Sequence, residues 1–169
     1  AASISGTYNN GSSGVGATLT NGSNGAAQVD GVNLSAGDRV LVNKQPGSDK
    51  EQNGIYKVTT VGDNSNPFVL TRTDDADTPA KLLNAALFIR EGSSSADSAY
   101  VQSGDAIAAI GTSDINFEQF SGGGSLTSGD GITISGSTVS VNKLGAGGLD
   151  FDSGALKIKL DGGTLATGN

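Results

Sequence analysis

Cysteine, histidine, methionine and tryptophan are all missing from this chain of 169 residues. Without cysteine no disulfide staples the fold, and the redox character of its compartment leaves no trace. Without histidine or cysteine, Ser–His and Cys–His nucleophile systems are excluded, and so are the commonest zinc sites. Proline is scarce at three residues, and the 27 glycines follow no Gly-X-Y period, which excludes collagen. Long apolar runs are lacking as well. The stretch Ala85–Ile89 is as long as any, far short of the ~20 residues that cross a bilayer. No signal peptide is recognisable. Basic charge is also in deficit, with 17 acidic against 10 basic residues and a net charge of −7. That balance opposes binding to nucleic acid, which needs basic surface to displace counterions, and to anionic membranes. The charge is instead expected to keep a particle surface soluble.

What is present is glycine, serine, asparagine and threonine between short alternating apolar runs, a pattern that predicts an all-β chain with many turns. Seven of the eight aromatic residues (Tyr8, Tyr56, Phe68, Phe88, Tyr100, Phe117, Phe120) precede position 121, and only Phe151 follows. This asymmetry divides the chain into a compact β-domain over 1–121, a Gly/Ser hinge over 122–125, and a thin repeat over 126–169. In the first part the alternation predicts strands over Ala17–Thr20, Ala27–Val29, Asp38–Asn43, Ile55–Val61, Phe68–Arg72, Ala86–Glu91, Ala99–Gln102 and Ile115–Phe120. Tyr8–Gly16 reads as an arm or loop, Asp30-Gly31 as a turn, and Lys44–Gln52 as a polar loop. Thr78-Pro79 reads as an N-cap and first helical residue, with one helical turn over Ala80–Asn84. Short strands at this spacing predict a β-sandwich or a small β-barrel.

The second part carries two matched blocks 17 residues apart. The first runs from Gly131 to Val141 and the second from Gly148 to Ile158. Each places apolar residues at its second, fourth, ninth and eleventh positions: Ile132, Ile134, Val139 and Val141, then Leu149, Phe151, Leu156 and Ile158. Gly136-Ser137 and Ser153-Gly154 supply the small residues of a tight reversal between the two halves. Repetition at a fixed period predicts a stack. The few apolar side chains of one unit do not offset the entropy of ordering it, so this region is expected to bury them against identical chains. The chain does not begin with Met and ends at Thr167-Gly168-Asn169, where a third repeat is due. It therefore reads as a piece of a longer protein.

Two resemblances add to this reading. Ala36-Gly-Asp-Arg-Val-Leu-Val42, Gln45, Asn53-Gly-Ile-Tyr-Lys-Val58, Leu70-Thr-Arg-Thr-Asp-Asp-Ala-Asp77 and Phe117-Glu-Gln-Phe120-Ser121 resemble a module of tail-fibre and baseplate-associated structural proteins of tailed bacteriophages, cyanophages among them. The similarity spans roughly 5–121. Gly148-Leu-Asp-Phe-Asp-Ser-Gly-Ala-Leu-Lys-Ile158 is similar to the shaft repeat of adenovirus fibres, a homotrimeric triple β-spiral. The first block departs from that pattern, with Gly136-Ser137 in place of the Asp-Ser-Gly turn, and prolines common in some such shafts are absent. Together the resemblances imply a virion structural protein: a homotrimeric fibre or spike segment on the outer surface of a phage, contacting other virion proteins and a host glycan or receptor. A capsid decoration or head-fibre protein and a glycan- or receptor-binding module are the alternatives.

Candidate chemistry is sparse. Carboxylate pairs such as Asp38 with Glu51, or Glu91 with Glu118, are conceivable for glycoside hydrolysis, but no spacing singles one out, and scattered acids on a β surface are ordinarily solvated. No catalytic residue and no cofactor is expected. Asp74-Asp75-Ala76-Asp77 is the sharpest polar cluster and a weak candidate Ca2+ site through Asp74, Asp75 and Asp77. It lacks the loop length and glycine spacing of an EF-hand. Its plainer reading is an Asp-rich turn balanced by Arg72. Asp38, Arg39 and Arg72 are candidates for a structural ion pair within the β-domain or for a partner contact. Tyr56, Phe68 and Tyr100 are candidate sugar-stacking aromatics, although the strand position of Tyr56 favours a core role. Asn53-Gly54 reads as a turn.

Overall fold

A computed structural model describes residues 2–104, 106–121, 132–135, 138–141, 148–152 and 155–159. The chain divides into two compact units, Ala1–Gly123 and Gly124–Asn169, and the described residues are all-β apart from two short helical segments.

The first unit contains β1 (Gly6–Asn9), β2 (Thr18–Asn21), β3 (Gln28–Val29), β4 (Val32–Asn33), β5 (Arg39–Val42), β6 (Gly54–Thr60), β7 (Val69–Arg72), β8 (Ala86–Ile89), β9 (Ser98–Ser103) and β10 (Asn116–Ser121). Five of these form an antiparallel sheet in the order β1-β2-β7-β6-β5, and three form a second one in the order β10-β9-β8. The first sheet is apolar on both faces, because alternate residues of a strand point to opposite sides. On one face Leu19, Val40, Val42, Tyr56, Val58 and Leu70 build a core that Ile4, Val29 and Phe68 complete. On the other, Leu41 and Ile55 join Tyr100 and Phe117 of the second sheet, together with Leu82, Ile107, Ile110 and Ile115. The two sheets thus share a core, and neither closes on itself.

Asp30-Gly31 is the expected turn. Val29 pairs with Val32, and both intervening residues have positive φ, at 50° and 78°, as a two-residue hairpin of the type I′ class requires. The arm expected near Tyr8 begins instead as strand β1, whose register runs from Gly6 opposite Asn21 to Asn9 opposite Thr18. Gly-Thr-Tyr-Asn offers one apolar residue and therefore no alternation to read. A 3-10 helix over Gly47–Gln52, with no buried residue, replaces part of the expected polar loop. The helical turn falls at Pro79–Leu82 with Pro79 in the first turn, but Thr78 makes no side-chain capping bond.

The second unit contains β11 (Ile132–Ser135), β12 (Thr138–Val141), β13 (Gly148–Asp152) and β14 (Ala155–Lys159), paired as two antiparallel hairpins. Ile132 stands opposite Val141 and Ile134 opposite Val139. Leu149 stands opposite Ile158 and Phe151 opposite Leu156. The turn residues Gly136, Ser137, Ser153 and Gly154, and the 122–125 hinge, lie outside the described residues.

Candidate functional site

The Asp74–Asp77 cluster does not converge. Asp75 Oδ2 accepts from Arg39 Nη2 at 2.8 Å, with both side chains more than half exposed. The Thr73 side chain and the Arg39 guanidinium hold the Asp75 carboxyl below the usual carboxylate range. Asp77 is buried and accepts from Lys81 Nζ at 2.7 Å, while the same ammonium donates to the Asp74 carbonyl at 2.6 Å. Arg39 and Lys81, rather than Arg72, therefore balance this turn. Among the described residues no group of three or more acidic side chains is placed to hold a metal ion.

Arg72 lies elsewhere, 2% exposed at the end of β7. Its Nη1 donates to the Asn53 carbonyl at 3.0 Å and its Nη2 to the Tyr56 hydroxyl at 2.9 Å. The guanidinium lies 4.8 Å from the centroid of the Tyr56 ring, a cation–π distance. The expected ion pair among Asp38, Arg39 and Arg72 is thus not formed. Arg39 takes Asp75, Asp38 accepts from the Ser35 N–H, and Arg72 bonds neutral oxygens. The Tyr56 hydroxyl in turn donates to the Gln52 carbonyl at 2.6 Å, and burial pushes its pKa far up. Gly54 makes this packing possible, since a Cβ there would collide with the Arg72 guanidinium.

Asn53-Gly54 is accordingly not a hairpin turn but a buried junction between the 3-10 helix and β6. Asn53 Oδ1 accepts from the Gln45 N–H at 3.1 Å, and its Nδ2 donates to the Ile115 carbonyl at 2.9 Å. Gln45 bonds both backbone groups of Ile4, and Asn43 donates to the Phe117 carbonyl. Three buried carboxamides so fasten the N-terminal segment and β10 to β5. Sequence reading missed this network. Its only sign was an amide-rich stretch, Asn43 to Asn53, that looks like any polar loop.

Tyr56, Phe68 and Tyr100 are at most 5% exposed, so none presents a face to a sugar. The exposed aromatics of this unit are Phe88 and Phe120, at 57% and 62%. Phe88 borders a groove of about 470 Å³ between the β3–β4 hairpin, β5 and β8. Its apolar lining comes from Val40, Leu41, Ile55, Leu87 and Ile89, and its charged rim from Asp30, Asp38, Arg90 and Glu91. Desolvation pushes the Asp30 carboxyl up, but the Ser95 side chain and the N–H groups of Ser94 and Ser95 outweigh it and hold the group below its ordinary value. Those bonds tie the β3–β4 hairpin to the loop that follows β8.

The eight residues expected at a subunit interface fall into four directly opposed pairs, two in each hairpin. Ile132 and Val139 are 40% and 55% exposed. The chain matches no family model, no curated protein and no solved structure.

Proposed function

We propose that this chain is a structural segment of a virion fibre: a homotrimer in which Gly124–Asn169 forms a β-shaft and the first unit is carried on it as a β-sandwich. The observation that supports this is the equivalence of the two hairpins. Each sets two apolar cross-strand pairs on one face of a two-stranded ribbon, and such a ribbon is not stable alone in water. Three chains would cover these faces and consume the strand edges. The role is mechanical and not enzymatic, with attachment of a tailed phage to its host as its setting and neighbouring virion proteins as partners. Light scattering on the full chain and on residues 1–121 tests it. Three copies of the 16.7 kDa chain, about 50 kDa, are expected for the whole and one copy for 1–121. A monomeric full chain at every concentration would sink the proposal.

Exposed Phe88 and Phe120 favour a second reading, receptor or glycan binding by the first unit. Glycan-array signal from 1–121 that disappears with Phe120→Ser would support it.

A further inference from the structure

The groove lies between two strand edges that end their sheets, β5 in the five-stranded sheet and β8 in the three-stranded one. The alternation of antiparallel ladders fixes which backbone groups face it. Val58 N–H donates to Asp38 O, so Val40 and Val42 turn toward β6, and Arg39 and Leu41 turn outward. Gln102 N–H donates to Ala85 O, so Leu87 and Ile89 turn toward β9, and Ala86, Phe88 and Arg90 turn outward. At one end of β5 a strand has already begun to add. Ala2 bridges Val42 in parallel, with Ala2 N–H to Leu41 O at 3.3 Å and Asn43 N–H to Ala2 O at 2.9 Å. The next rung of that ladder, Arg39 O and Leu41 N–H, faces the groove. Natural edges are blunted by charge, proline or bulges. Here β8 has no proline, its pairing with β9 is unbroken, and its third residue is the exposed Phe88.

We propose that this groove is a strand-addition site for an extended segment of a partner polypeptide in which apolar residues alternate with basic ones. The outward backbone groups on both edges recognise an extended main chain, which a glycan does not supply. Leu41, Leu87 and Ile89 receive every second side chain, while Phe88, on the opposite face of β8, packs against the stems of the intervening ones. With Arg39 taken by Asp75, and Asp30 by the N–H groups of Ser94 and Ser95, the rim sets Asp38 and Glu91 against Arg90, so the intervening side chains are selected for positive charge. A volume of about 470 Å³ lies within the range of formed ligand sites. This inference stands independently of the fibre reading.

The test uses the full chain and a labelled peptide alternating valine with lysine, followed by fluorescence anisotropy. Saturable binding is expected, weakened about tenfold or more by Phe88→Ser. Because Phe88 is exposed, the variant should keep the wild-type melting temperature. A peptide alternating valine with glutamate should bind about tenfold more weakly. The valine–lysine peptide N-methylated at every second residue should not bind, because strand addition needs its backbone donors. Absence of binding to the wild-type chain, or equal binding of the N-methylated peptide, would overturn the proposal. Self-association removed by Phe88→Ser, in place of peptide binding, would overturn it too and assign the groove to a second copy.

Discussion

In the first unit β6 places Ile55 against one apolar cluster and Tyr56 and Val58 against another. In the second, β11 and β12 place Ile132 and Val139 where 40% and 55% of each remains exposed. Both regions are written in the same two-residue alternation. The difference is the presence of a second layer. In the first unit the segments bearing Ile4, Val29 and Phe68 cover one face of the sheet and the three-stranded sheet covers the other. An isolated hairpin has no such cover, and on the proposed fibre reading other chains supply it. Alternation therefore specifies a strand, while the length of chain devoted to covering it decides between a domain and an interface.

The strongest way to break this comparison is Phe151→Asp, which is expected to turn the proposed trimer into a monomer, a threefold fall in mass by light scattering. The melting transition of the first unit should be unchanged, and a trimer that survives the substitution would refute the shaft. Next comes Arg72→Ala. It leaves the Asn53 carbonyl without its buried donor and opens space under the Tyr56 ring, at an expected cost of about 3–5 kcal/mol by urea denaturation. The mass should not change. Asn53→Ala, which frees the Gln45 N–H and the Ile115 carbonyl, should cost about 2–3 kcal/mol.

Titration sharpens the contrast at smaller amplitude. The buried Tyr56 phenol has its pKa raised, so its contribution to stability is complete below about pH 10, the ordinary tyrosine value, and is lost as pH rises beyond that. A difference titration of wild type and Tyr56→Phe should show this phenol ionising only as the chain unfolds. On the acid side the Asp75 pKa is lowered, so its contribution is present above about pH 4 and is lost as pH falls through the folded-state value. With both partners more than half exposed, Arg39→Ala should cost about 0.5 kcal/mol or less. The smallest expected effect is none. EDTA should leave the melting temperature where it was, because Arg39 and Lys81 already occupy the Asp75 and Asp77 carboxylates.

By itself the sequence determined the β class, the Asp30-Gly31 turn, the strands around Val40–Val42, Ile55–Val58 and Leu70–Arg72, and the paired halves of both repeats. All of these are local consequences of period-two alternation and of the few residues that tolerate positive φ. Tertiary structure decided what alternation does not encode. Gly6–Asn9 is a strand because β2 offers it an edge. Asn53 is a buried clamp rather than a turn because Gln45 and Ile115, far from each other in sequence, converge on it. Arg72 is inside because Gly54 leaves room for its guanidinium and Tyr56 and Asn53 supply oxygens. The groove between β5 and β8 exists because two sheets end side by side, a juxtaposition of segments nearly fifty residues apart. Local pattern sets which way a side chain points from its strand, and only the packing of distant strands sets what it meets.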